Sequence, residues 1–152
     1  MIRRILLTLL IVMVSYGVSY AIFDKYTIDR EQLPASAIEM LDEHFPKQKI
    51  SMIKIDKHLL KKTDYDVKLL NGTKIEFSNA GKWTSVDCGK KAVPEGLVHK
   101  KILSYVSDNY EGTKIVRVAK SLSGYEIGLC NGKTLNFNLL YQFKGEAQSD
   151  EI

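Results

Sequence analysis

The stretch Tyr65-Asp66-Val67-Lys68-Leu69-Leu70-Asn71-Gly72-Thr73-Lys74-Ile75-Glu76-Phe77 decides the fold, because the chain carries it twice. Sixty positions later stands Tyr125-Glu126-Ile127-Gly128-Leu129-Cys130-Asn131-Gly132-Lys133-Thr134-Leu135-Asn136-Phe137. Tyr, an acid, a β-branched residue, Leu, Asn-Gly, an aliphatic residue and Phe recur in register, the mark of an internal repeat. Each copy alternates apolar and polar residues around Asn-Gly, which predicts a half-buried β-hairpin. A two-residue loop would set Leu69 opposite Lys74 and Val67 opposite Glu76, mixing the faces. A three-residue loop Leu70-Asn71-Gly72, with Gly72 left-handed, pairs Val67 with Ile75 and Tyr65 with Phe77 and keeps one face apolar. The same loop in the second copy pairs Ile127 with Leu135 and Tyr125 with Phe137. Asp66, Lys68, Lys74 and Glu76 then lie on the opposite face, with Glu126, Gly128, Thr134 and Asn136 beside them.

Outward from the hairpins, Leu33-Pro34 opens a helix with Ala37, Ile38, Met40, Leu41 and Phe45 inward, and Pro46 stops it. Ile50 to Asp56 reads as a strand. Lys57 to Asp64 is a basic turn holding His58, Lys61 and Lys62. After the hairpin, Asn79-Ala80-Gly81 turns the chain into a fourth strand from Trp83 to Cys88. Val93-Pro94 repeats Leu33-Pro34 and opens a second helix, about a turn longer, with Val98, Ile102, Tyr105, Val106 and Tyr110 on one side. Lys114 to Lys120 is the matching first strand, Val116 and Val118 standing for Ile53 and Ile55. A last strand is expected near Leu139 to Lys144.

The expected architecture is α+β: a tandem repeat of one helix packed on a four-stranded antiparallel sheet. Residues 33–88 form the first unit and 93–144 the second. The two sheets are either separate or one continuous eight-stranded sheet. Two units sharing a core also explain how so small a repeat stays folded. Residues 22–32 read as a linker and 145–152 as a polar, frayed tail.

Residues 1–21 read as an export signal peptide: Arg3 and Arg4, then a mostly apolar run, then Ser19-Tyr20-Ala21 at the cleavage point. The rival reading, a retained membrane anchor, is weakened by the short run and by Ser15, Tyr16 and Gly17. After cleavage no stable membrane insertion is expected. Removing these residues takes away two arginines and no acid, leaving 20 Lys+Arg against 18 Asp+Glu in a chain of 152 residues. That near-neutral balance excludes nucleic acid as a partner, which needs a concentrated basic face. Both cysteines, Cys88 and Cys130, lie in the exported part, where one disulfide is permitted.

The frame of Leu/Val-Pro, helix, Lys-Ile strand, Tyr-acid-aliphatic-x-Leu-x-Asn-Gly and closing Phe resembles the PepSY-like family of exported bacterial proteins, also described as β-lactamase-inhibitor-like. Trp83-Thr84-Ser85-Val86-Asp87-Cys88 followed by Val93-Pro94 fits the junction between its two repeats. The resemblance covers roughly residues 33–144. It implies a helix-plus-sheet fold in tandem like that of the β-lactamase inhibitor protein, a periplasmic or secreted location, and no catalytic residues. Related repeats in other families restrain proteases as pro-segments. Fold analogy alone does not make this chain an inhibitor. Leu139-Leu140-Tyr141-Gln142-Phe143 departs from the pattern: it lacks the glycine turn that precedes Trp83, so aromatic surface is expected exposed at Tyr141 and Phe143.

No catalytic constellation, phosphate-binding loop or metal-ligand spacing is present in the sequence. His44, His58 and His99 are scattered, and no cofactor is expected. Two function classes remain. One is a non-catalytic binding module that grips, and could inhibit, another exported protein through its open sheet face and loops. Its candidate contact residues are Asp66, Lys68, Lys74, Glu76, Trp83, Glu126, Asn136, Tyr141 and Phe143. The other is an envelope sensor or small-ligand-binding protein with a pocket between helix and sheet.

Overall fold

The computed structural model describes residues 24–57 and 63–148. The proposed signal peptide, and His58, Lys61 and Lys62 of the basic turn, lie outside the described residues. The described chain is α+β. Strands β1 (Lys25–Thr27), β2 (Ile50–Asp56), β3 (Asp64–Leu69), β4 (Lys74–Phe77), β5 (Trp83–Asp87), β6 (Ile115–Lys120), β7 (Gly124–Leu129), β8 (Lys133–Asn138) and β9 (Phe143–Gln148) pair in chain order. Helices α1 (Ala35–His44) and α2 (Lys100–Asn109) enter between β1 and β2 and between β5 and β6.

The hairpins adopt the register expected from side-chain alternation. Tyr65 faces Phe77 and Val67 faces Ile75; Tyr125 faces Phe137 and Ile127 faces Leu135. Gly72 and Gly132 take positive φ, 89° and 87°, where a Cβ would be strained. The Gly72 and Gly132 amides each donate to the last residue of the preceding strand, Leu69 and Leu129.

The four-stranded units give way to one sheet of nine antiparallel strands. Two differences account for this. First, β5 pairs with β6 through Ser85–Ala119, Val86–Val118 and Asp87–Arg117, so no edge separates the halves. Second, the stretch read as a linker supplies β1, which pairs Thr27 with Ile53 and Lys25 with Ile55. Asp29 then caps a short 3-10 turn, Arg30–Gln32, by accepting from the Glu31 amide. The last strand also runs further than expected, because Phe143–Gln148 pairs along β8 and takes up the start of the polar tail.

Continuous pairing makes a continuous core. Ile53, Val67, Ile75, Val86, Val118, Ile127 and Leu135 are consecutive cross-strand partners from β2 to β8. None is more than 1% exposed. Ala37, Met40 and Leu41 of α1 and Ile102 and Val106 of α2 are buried with that row. Both helices therefore cover one face, and no described element covers the other.

The second helix is not longer than the first. Each spans 10 residues, at an offset of sixty-five rather than sixty. The extra residues after Pro94 form a separate 3-10 turn, Glu95–Leu97, and α2 begins only after His99, whose Nδ1 accepts from the Lys101 amide. Likewise Ile53 opposes Val67 and Val118 opposes Ile127, so Val118 is the counterpart of Ile53, and Lys120 of Ile55. The shorter β6–β7 turn then restores the offset of sixty in the hairpins.

Candidate partner-binding surfaces

The cross-strand register arranges the uncovered face into rows. One row runs Lys54, Asp66, Glu76, Ser85, Ala119, Glu126 and Asn136. Its neighbour runs Met52, Lys68, Lys74, Asp87, Arg117, Gly128 and Thr134. The first row carries Asp66, Glu76 and Glu126 with one cation, Lys54, and the second Lys68, Lys74 and Arg117 with one acid, Asp87. Asp66 stands directly opposite Glu76, and Lys68 directly opposite Lys74. Like charges in that position destabilise a sheet. Small side chains at Ser85, Ala119 and Gly128 keep the middle of the face low.

Local pairing relieves only part of this charge. Lys54 Nζ lies 3.1 Å from both Asp24 and Asp56, and those bonds hold its ammonium above the usual lysine range. Asp66 is pushed up from the ordinary carboxylate value, first by burial, which the nearby Lys54 charge opposes. Arg117 reaches across the rows to Glu126 at 3.9 Å. Lys68, Lys74 and Glu76 are exposed and make no ion pair among the described residues.

The candidate contact residues divide between the two faces. Asp66, Lys68, Lys74, Glu76, Glu126 and Asn136 share the open one. Trp83 and Phe143 instead oppose Phe77 and Phe137, on the helix side. Phe143 is half-buried and stacks on Tyr105 with ring centroids 4.7 Å apart. It belongs to the core rim rather than to a free aromatic surface, because its strand pairs fully with β8.

Tyr141 sits in a turn that sequence reading did not expect. Asn138 donates to the Gln142 carbonyl and Tyr141 to the Asn138 carbonyl, as Ser78 does to Lys82 and Gly81 to Ser78. Tyr141 thus takes the place of Gly81 and has φ 62°, the only positive φ among the described non-glycine residues. The Asn138 carboxamide oxygen accepts from the Leu140 and Gln142 amides and holds the turn without glycine. Tyr141 is half-buried, with its ring stacked on His99 at 3.6 Å.

Cys88 and Cys130 are free thiols, one buried and one exposed. Cys88 bonds the Val116 carbonyl and Cys130 the Lys114 carbonyl, so one strand stands between them. Two strand spacings are about 10 Å, beyond the span of a disulfide. Burial pushes the Cys88 thiol up from its ordinary pKa. Sequence reading missed Arg117 on the open face and Lys120 on the covered one. Arg117 could have been found from alternation along Ile115–Lys120, but Lys120 falls at an inward position where alternation predicts an apolar residue.

Among the described residues no three or more His, Cys, Asp or Glu are placed to hold a metal ion. No helix among them is long and apolar enough to cross a membrane.

Three solved structures are similar to this chain. One, from Bacteroides vulgatus, is described as a "putative periplasmic protein of unknown function"; it has 37% identity and a TM-score of 0.79 over 83% of this chain and 100% of that one. A second, from Bacteroides thetaiotaomicron, is described as a "putative calcium-regulated periplasmic protein", with 30% identity and a TM-score of 0.77 over 82% of this chain and 97% of that one. A third, also a "putative periplasmic protein" from Bacteroides vulgatus, has 33% identity and a TM-score of 0.77 over 82% and 97%. No curated protein matches. A family model described as "Putative beta-lactamase-inhibitor-like, PepSY-like" matches residues 63–148. With more than half its length matched, and the hairpin-and-helix frame to support it, the chain belongs to the PepSY-like family.

Proposed function

We propose that this chain is a non-catalytic module, exported to the periplasm, that grips another exported protein through the uncovered sheet face and the adjoining turns. The observation that carries this reading is the pair of like-charge contacts, Asp66–Glu76 and Lys68–Lys74, set side by side on an uncovered face. Each weakens the sheet by roughly 0.2–1 kcal/mol. A partner that lays a basic row against the acidic one and an acidic row against the basic one relieves both at once. Charge complementarity of this kind sets register and suppresses wrong partners more than it raises affinity. Leu122, Leu139 and Leu140, at 100%, 58% and 66% exposure on neighbouring turns, offer apolar contact beyond the stripes. The relatives described as periplasmic support the location, and the signal-like residues 1–21 agree with it.

A stripe-swapped variant tests this. Lys68→Glu with Glu76→Lys keeps net charge and composition but turns both like-charge pairs into opposite-charge pairs. Tagged protein would be used to capture partners from envelope extract. The variant is expected to fold with equal or slightly higher stability and to lose the partner that the wild type recovers. Equal capture by both would overturn the reading.

A further inference from the structure

Three exchanges between the halves remodel one corner of the helix side. In the first half, Gly81 lets the start of α1 rest directly on the turn: a Cβ there would lie 2.3 Å from Ser36 Oγ and 2.7 Å from Pro34 Cβ. Ser36 Oγ donates to the Ala80 carbonyl at 2.7 Å, and the neighbouring strand position is the buried Ile55. In the second half the counterparts of Pro34, Ile55 and Gly81 are His99, Lys120 and Tyr141. The tight apolar contact is replaced by a cleft of about 660 Å³ between the start of α2 and the sheet. Trp83, Tyr125, Tyr141, His99, Lys120 and Leu103 line it.

Two features set the cleft apart from its counterpart in the first half. Tyr141 holds a left-handed backbone, φ 62°, that favours glycine. Lys120, itself exposed, stands where the first half has the buried Ile55; its ammonium lies 3.2 Å from the centre of the Trp83 ring, and no carboxylate among the described residues pairs with it. Tyr125 and Tyr141 stand 5.1 Å apart, with their hydroxyls at 3.5 Å, and form an aromatic wall continued by His99. Around Lys120 the lining carries one acid, Glu95, and one further cation, Lys100. An aromatic wall, a cation fixed over an indole and a surplus of positive charge suit one class of ligand.

We propose that this cleft binds a small aromatic carboxylic acid, its carboxylate paired with Lys120 and its ring laid against Tyr125 and Tyr141. The Trp83 face fixes the ammonium from one side, so the carboxylate approaches from the other. This site lies across the sheet from the charge-striped face and does not depend on it.

Trp83 is the only tryptophan in the chain, so its indole N–H gives one reporter signal. Titration by proton–nitrogen NMR would use 3-phenylpropionate, with 3-phenyl-1-propanol as its uncharged counterpart and propionate as its ringless one. The acid with a ring is expected to shift the Trp83 signal saturably and to bind about tenfold more tightly than either control. Lys120→Met is expected to bring the acid down to the level of the alcohol. Tyr141→Gly, which restores the residue found at Gly81, is expected to stay folded and to weaken both ring-bearing compounds. Equal affinity for acid and alcohol, an unchanged acid affinity in Lys120→Met, or no saturable shift up to about 10 mM would overturn the proposal.

Discussion

Lys120 keeps an ammonium over an indole while remaining exposed to solvent. Beneath the ammonium lies the Trp83 ring, and Glu95, His99, Lys100, Tyr125 and Tyr141 face the same cleft. Loss of solvent pushes its pKa down to about 8. In the unfolded chain it titrates near 10.5. Between those values the unfolded chain holds the extra proton, so this group's contribution to stability rises with pH through that window. Below about 8 the group is charged in both states, and its contribution no longer changes with pH. Trp83 fluorescence is therefore expected to change with a midpoint near 8, and Lys120→Met is expected to abolish that step. A midpoint near 10.5 would show that packing against the cleft does not shift the group. Little of this corner is legible in the sequence. Lys120 reads as the end of a strand, and Tyr141 reads as the loss of a turn. The Asn138 side chain, which bonds two amides of that turn, does locally what glycine does elsewhere.

At the scale of elements, the strand row from Ile53 to Leu135 carries the packing. Ile127 lies in its second half, fully buried between Val118 and Leu135. Ile127→Ala leaves a cavity the sheet cannot close and is expected to cost about 2–5 kcal/mol. Glu126→Ala, one residue away on the open face, is expected to stay within about 0.5 kcal/mol. Urea midpoints of the two variants check the difference, and similar losses would mean that Glu126 does not face solvent. The hairpins were legible because alternation and the Asn-Gly turn independently specify the same register. Placement of the second helix was not. Leu33-Pro34 and Val93-Pro94 stand sixty residues apart, yet the helices they precede stand sixty-five apart. A 3-10 turn has no apolar periodicity of its own, so Glu95–Leu97 is indistinguishable by pattern from a first helical turn.

At the scale of the molecule, what matters is that the two halves share one sheet. Alternation along Trp83–Asp87 and Ile115–Lys120 shows which residues face inward but not which strand lies beside which. Composition likewise gives β1 away poorly, because a three-residue edge strand is held by its neighbour rather than by its own propensity. Once β5 and β6 pair, the two rows of the open face continue from one half into the other, and Trp83 from one half meets Lys120 from the other. Both proposed surfaces depend on that junction. Equilibrium unfolding in urea, followed by Trp83 fluorescence and by far-ultraviolet circular dichroism on the same samples, tests it most directly. Trp83 lies in β5 at the junction, whereas dichroism averages every strand and both helices. Coincident single transitions are predicted, because no half can open without breaking the Val86–Val118 contact. Two separated transitions, with fluorescence following only one of them, would contradict the shared sheet.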